Sequence, residues 1–313
     1  MHNMKLFDLH CDTATRLLAE KQGLHDNTFH VSLKKSAYLS RYAQVMAIWT
    51  DKRLTDSEGY ERFFEVIKNL ENEAHINKNS VKIVRNSKEL KDCITLGITP
   101  LIVSVEDARI LENDIERLYI LHKYGVRALT LNWYGLTCIG GAHDTDIGLT
   151  DFGKQVVKEC FRLGIVPDVS HCSFKGTSDA LEIAQAHSKP LIASHSDSYS
   201  VNTHTRNLQD NDFITISELG GLVGINLCPS HLCSHKDPDV TDILRHIEHY
   251  MSLGGENTVA MGCDLDGTDL PNGFSDISDL YKIVNELQRL NYSDELTDKL
   301  LYQNAFNFFI KNI

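Results

Sequence analysis

The sequence predicts an α/β fold, a (β/α)8 TIM-type barrel with a metal site at the C-terminal ends of its strands. Three observations carry that expectation. Short apolar runs alternate with segments of helical period, which is the rhythm of β-α units wound around a parallel sheet. Eight such runs stand out, near residues 4–10, 43–49, 100–106, 126–132, 166–171, 190–195, 222–226 and 258–264, and eight is the strand number of the barrel. Five of them stop at a residue able to ligate a metal, and barrels of this type keep their chemistry where strands end and the following loops begin. A chain of 313 residues is of a length such barrels fill as one unit, so residues 1–313 are expected to form a single domain.

Taken in order, the first run, Met4-Lys5-Leu6-Phe7-Asp8-Leu9, stops at His10-Cys11-Asp12. Alternate side chains of a strand share a face, so His10 and Asp12 address one point while Cys11 turns away. Thr55-Asp56-Ser57-Glu58 has the spacing of a capping box and opens a helix with Tyr60, Phe63, Phe64, Ile67 and Leu70 on its core face. Val81–Val84 is a ninth apolar run, expected outside the barrel as an edge hairpin or an excursion beside a helix. The run from Pro100 to Val105 meets Glu106. A helical stripe of Val156, Val157, Cys160, Phe161 and Leu163 ends before Gly164, a residue suited to terminate it. The run Val166-Pro167-Asp168-Val169-Ser170 meets His171, Pro190 to Ser194 meets His195, and Val259 to Cys263 meets Asp264. A last outer helix is expected around Leu280, Ile283, Val284, Leu287 and Leu290.

Lys plus Arg number 31 against 43 for Asp plus Glu, a formal charge of -12, which argues against a nucleic-acid footprint or an anionic-membrane patch. A small substrate is the expected partner, with assembly, a homodimer included, left open. No apolar stretch is long enough to span a bilayer, and the opening residues lack the pattern of a secretory signal. The eight cysteines are dispersed rather than packed as a disulfide framework, which suggests reduced thiols in a cytoplasm. Cys228 and Cys233 read as two unlinked loop thiols, because no second pair at zinc-site spacing accompanies them.

Asp8-Leu9-His10-Cys11-Asp12, Val105-Glu106, Asp168-Val169-Ser170-His171, Ser194-His195-Ser196, Thr205-Arg206-Asn207-Leu208 and Gly262-Cys263-Asp264-Leu265-Asp266-Gly267 follow one another in a familiar order. With Gly148-Leu149-Thr150-Asp151-Phe152-Gly153, they resemble the renal (membrane) dipeptidase family, peptidase family M19 of the amidohydrolase superfamily, in its soluble bacterial form. The resemblance covers nearly the whole chain. It implies a zinc-dependent metallo-dipeptidase that hydrolyses the amide bond of dipeptides through a hydroxide bridging two metal ions. In that reading His10 and Asp12 hold one zinc, His171 and His195 hold the other, and Glu106 bridges them. Asp264 acts as general base, and Arg206 binds the substrate's terminal carboxylate, with Asn207, Trp133 and His143 as further substrate-facing residues.

The residues alone leave Arg206 open to being a solvated loop arginine or a partner of Asp210, and Asp266 open to supporting the site or simply turning the chain before Gly267. One departure bears on substrate contact. Many family members follow a Thr-Leu-Thr run with a histidine that helps hold the substrate oxyanion, whereas here Thr130-Leu131-Asn132 precedes Trp133. His143 is either a substitute donor or an exposed loop histidine. Two other classes remain as alternatives: an amidohydrolase of another small amide or ester, and a non-catalytic metal- or ligand-binding barrel. Adenosine-deaminase-like sites use His-x-His, and phosphotriesterase-like sites often bridge their metals with a carboxylated lysine; no lysine ends a candidate strand here.

Overall fold

A computed structural model describes residues 4–313. Among the described residues nine parallel strands are present: β1 (Lys5–Cys11), β2 (Arg41–Trp49), β3 (Val81–Ile83), β4 (Thr99–Glu106), β5 (Val126–Thr130), β6 (Val166–Asp168), β7 (Ile192–Ala193), β8 (Leu222–Ile225) and β9 (Val259–Met261). β2 pairs with both β1 and β4, which closes eight of them into a barrel. The expected (β/α)8 architecture is therefore the observed one.

β3 differs from expectation. It pairs parallel with the start of β4, from Val81↔Thr99 to Ile83↔Leu101, while β5 joins β4 only from Val103 onward. The Ser87–Leu96 helix carries the chain from β3 back to the start of β4, and a crossover of that kind makes a parallel neighbour rather than a hairpin. The Asp56–Ile76 helix, which joins β2 to β3, begins with the anticipated capping box, in which Thr55 and Glu58 satisfy each other's backbone groups. The Asp151–Leu163 helix ends at Gly164 in the left-handed conformation, as expected. The last stripe is shorter than expected: Leu280, Ile283 and Leu287 are buried, but Leu290 lies beyond the Tyr281–Arg289 helix and is exposed.

Two apolar layers explain where the site residues point. Leu6, Met46, Val103 and Val105 join Phe63, Val66 and Val157 of the helices in the outer layer. Phe7, Val45, Ile102, Ala128, Ile192 and Leu222 come from six strands yet share one cluster with Phe308 and Phe309, so they fill the barrel interior above a C-terminal plug. Strand periodicity then carries inward orientation from Ile102 to Glu106. Along β1 the regular register with β2 breaks between Asp8 and Cys11, the kind of irregularity that re-aims side chains beside functional sites. Among the described residues no helix is long and apolar enough to cross a membrane.

Backbone crowding tightens this end of the barrel. A Cβ on Gly262 would lie 1.7 Å from the Ser194 carbonyl oxygen, and one on Gly224 only 1.9 Å from it. Gly262→Ala is therefore expected to lower stability by about 3 kcal/mol through overpacking, measured by urea unfolding. A stability within 0.5 kcal/mol of the parent, roughly the surface-substitution range, would contradict the crowding argument.

Candidate metal centre and substrate cavity

Glu106 stands at the middle of the site and divides its two oxygens. Oε2 is 3.5 Å from His10 Nε2, which is itself 3.5 Å from Asp12 Oδ2. Oε1 is 2.9 Å from His171 Nε2 and 3.6 Å from His195 Nε2, and the two imidazole nitrogens are 2.9 Å apart. Ligands at the usual zinc distances around a tetrahedral ion lie roughly 3.3 Å from one another. Both groups have that spacing. Unpartnered atoms support the same reading, for His10 Nε2 and Asp12 Oδ1 are buried without hydrogen bonds. Asp12 occupies the N-cap position of the Thr13–Glu20 helix but makes no side-chain cap, leaving its carboxylate for His10.

The strands end earlier than the apolar runs suggest, and His171, His195 and Asp264 sit just beyond them. His171 and Asp264 adopt left-handed backbone conformations, with φ of 69° and 56°. Such strain in non-glycine residues is held by its surroundings and clusters at functional positions.

Burial dominates the electrostatics. It pushes the Glu106 carboxyl up to about 7 and Asp264 up to about 6, with His10 pulling both back. Burial alone would depress His10, but Glu106 and Asp12 outweigh it and hold its pKa well above the ordinary value. Burial drives His171 and His195 well below it, helped by the Arg206 charge at His171 and by the His10 and Arg206 charges at His195, which favours the neutral imidazole, the form that ligates. Three carboxylates, Asp12, Glu106 and Asp264, share His10 as their common neighbour at 3.5–3.9 Å, an excess of negative charge that divalent ions would relieve.

Beside this cluster opens a cavity of about 1090 Å³ whose lining includes Asp12, Glu106, Trp133, His171, His231 and Asp264. Trp133 meets Trp49 edge-on at 5.1 Å, forming an aromatic wall. Arg206 is only 5% exposed; its Nη2 makes one long bond to the His195 carbonyl at 3.4 Å, while Nε and Nη1 have no partner. It is therefore neither a solvated loop arginine nor the partner of Asp210, which pairs with His249. His143 is a half-buried loop histidine whose Nδ1 lies 3.2 Å from Thr205 Oγ1 and whose ring lies 5.9 Å from that of His171. Asn207 spends its amide nitrogen on the Asn202 and His231 carbonyls, at 2.9 and 2.8 Å, so it fixes the loop rather than presenting that donor to a ligand.

Several neighbours escaped the sequence reading. His231, drawn down to about 2 by burial and Arg206, faces the cavity from the short Pro229–Leu232 helix. Asn226 Nδ2 lies 3.3 Å from Asp264 Oδ2. Trp49 had a usable signal, since it ends β2 with the same parity as inward-facing Val45. Asp266 accepts from Thr13 Oγ1 at 2.5 Å and from the His30 backbone N–H at 2.6 Å, tying the end of β9 to the first loop region. All eight cysteines are unbridged, Cys228 and Cys233 included. Cys233, His235 and Asp242 also approach one another, but Arg245 already neutralises Asp242 at 3.0 Å.

The family model of the membrane dipeptidases, peptidase family M19, matches residues 1–311. The chain belongs to this family. The M19 metallopeptidase known as dipeptidase AC superposes with a TM-score of 0.91 at 27% identity, covering 99% of this chain and 98% of its own. A Rhodobacter sphaeroides metallopeptidase, solved with a phosphinate mimic of the dipeptide L-Ala-D-Ala, gives a TM-score of 0.88 at 26% identity and covers 99% of both chains. A Klebsiella pneumoniae protein, described only as an uncharacterized protein in the pqqA 5' region, is 29% identical over 245 residues, 74% of this chain and 89% of its own. The sequence-based expectations of an M19 metallo-dipeptidase enzyme and its barrel are thus borne out.

Proposed function

We propose that this M19 member is a zinc-dependent dipeptidase with two ions, one held by His10 and Asp12, the other by His171 and His195, and both by Glu106. The observation that carries the reading is the divided Glu106 carboxylate, with a buried, under-bonded arginine close by. Zinc bound there would polarise the scissile carbonyl and acidify the attacking water. The protein's own groups do the rest. Arg206, whose Nε and Nη1 are left without partners, receives the substrate's terminal carboxylate on its guanidinium. Asp264, steadied by Asn226, takes the proton of the attacking water and returns it to the leaving amine. Trp133 and Trp49 wall the cavity, and His143 stands near His171 on the Thr205 side. The mimic held by the Rhodobacter sphaeroides relative supports dipeptides with a D-residue at the carboxyl end as substrates. Residues 1–313 are read as one barrel domain, and the eight free thiols support action in a reducing cytoplasm.

The test is a comparison of a dipeptide with its carboxyl-terminal amide. Charged hydrogen bonds are worth roughly 1.5–3 kcal/mol, so the parent should prefer the free acid by roughly tenfold or more in kcat/KM. Arg206→Ala should erase most of that preference, and lysine should restore little of it. Equal use of acid and amide by the parent would remove the carboxylate clamp and favour a general amidohydrolase.

A further inference from the structure

Immediately beneath the proposed ligands, three inward-facing polar side chains from neighbouring strands form a buried relay. Thr130 ends β5 and Asp168 ends β6, paired in register, and Ser194 follows β7; each is at most 2% exposed. Asp168 accepts four hydrogen bonds. Its Oδ1 takes the backbone N–H groups of Ser170 at 3.0 Å and Ser194 at 2.9 Å; its Oδ2 takes the hydroxyls of Thr130 and Ser194, both at 2.6 Å. Ser194 Oγ in turn lies 2.7 Å from His195 Nδ1.

The direction of this chain is determined by proton counting. Four donors converge on Asp168, so its carboxyl group is the acceptor throughout. Asp168 Oδ2 has only lone pairs to offer at 2.6 Å, so the single hydroxyl proton of Ser194 is committed to it rather than to His195 Nδ1 or to Ser170 Oγ at 3.5 Å. Ser194 Oγ then has only lone pairs to offer His195, which must carry its proton on Nδ1. That leaves Nε2, the nitrogen facing Glu106 and His171, as the unprotonated one. We infer that Asp168, acting through Ser194, is the positioning residue that selects the metal-ligating tautomer of His195. The inference rests on the metal-centre reading above and extends it to a residue that touches neither substrate nor metal.

An isosteric substitution separates this role from mere packing. In Asp168→Asn, the two backbone N–H groups at Oδ1 cannot reverse, so the amide oxygen must stay there and the NH2 group must face Thr130 and Ser194. Ser194 would then accept from the amide and donate to His195 Nδ1, moving the ring proton to Nε2. No hydrogen bond is lost, yet the ligand lone pair is. Supporting partners of metal-bound histidines typically change affinity by 10–100-fold. Asp168→Asn should therefore weaken one of two zinc sites about 10–100-fold in chelator competition, while the metal-free protein unfolds near the parental Tm. Ser194→Ala, which breaks the relay without reversing it, should cost less. The decisive variant is the double substitution: removing Ser194 disconnects the reversed amide, so zinc affinity should recover to that of Ser194→Ala alone.

A structural role predicts the opposite, with the double variant no better than Asp168→Asn, and that result overturns the inference. Parental zinc affinity in folded Asp168→Asn overturns it as well. Should that variant not fold, nitrogen NMR of the metal-free parent reads the tautomer directly: a His195 proton on Nδ1 supports the relay, and one on Nε2 refutes it. A parent that binds no zinc at all removes the metal-centre reading and this inference together, whereas a parent with two zinc ions and an indifferent Asp168 removes only the latter.

Discussion

Glu106→Gln is expected to lose at least one of two bound zinc ions and nearly all turnover, roughly 10³-fold or more, since metal-borne stabilisation is worth several kcal/mol. The substitution keeps the volume and one oxygen but replaces the other with a donor. Oε1 and Oε2 face different ligand groups, so whichever position the NH2 takes turns an N–H toward an ion and removes the shared negative charge. Burial adds to the loss, because Glu106 is 3% exposed and its carboxylate is the shared anionic group between the two ligand clusters. Metal analysis after gel filtration gives the stoichiometry, and dipeptide hydrolysis gives the rate. Full metal content with near-parental turnover would end the bridging role.

The parts of this site that were legible in the sequence are those governed by a two-residue period. His10 and Asp12 are separated by one residue at a strand end, so their sharing of a face could be read from spacing, although the break after Asp8 is what turns that face inward. Glu106 ends a strand whose inner and outer faces alternate cleanly. The ligand pairs across the barrel needed more than spacing, and the family resemblance supplied the division that the two oxygens of Glu106 now display. His231 was hidden for a different reason, since its approach to Arg206 depends on a loop path after β8 that no local periodicity encodes, whereas Asn226 had the inward parity of Leu222 as an unused signal. Asn207, adjacent to Arg206 in sequence, turns its amide nitrogen into loop carbonyls and leaves its buried Oδ1 without a partner, a division that no spacing reveals. The place of β3 depended on the handedness and length of a helical crossover, which an apolar run of four residues does not reveal.

Asp264→Asn should lower kcat by roughly 10²–10⁴ while leaving most of the zinc in place. Two features set Asp264 apart from the residues read as ligands. Its Oδ1 lies 3.9 Å from His10 Nε2, farther than Asp12 Oδ2 and Glu106 Oε2 at 3.5 Å each, and its Oδ2 is engaged by Asn226, although with His10 and His195 it also forms a cluster close enough to hold an ion. A carboxylate at the rim, turned by a left-handed backbone toward both the cavity and the ion cluster, is placed to exchange a proton rather than to complete a coordination shell. The amide cannot accept that proton, so the loss should fall on kcat and leave KM within a few fold. Zinc stoichiometry decides between the roles. An Asp264→Asn protein that holds two ions but barely turns over supports the base, whereas one that has shed an ion makes Asp264 a ligand and leaves proton transfer to another group at the cavity, of which His231 is the nearest in kind.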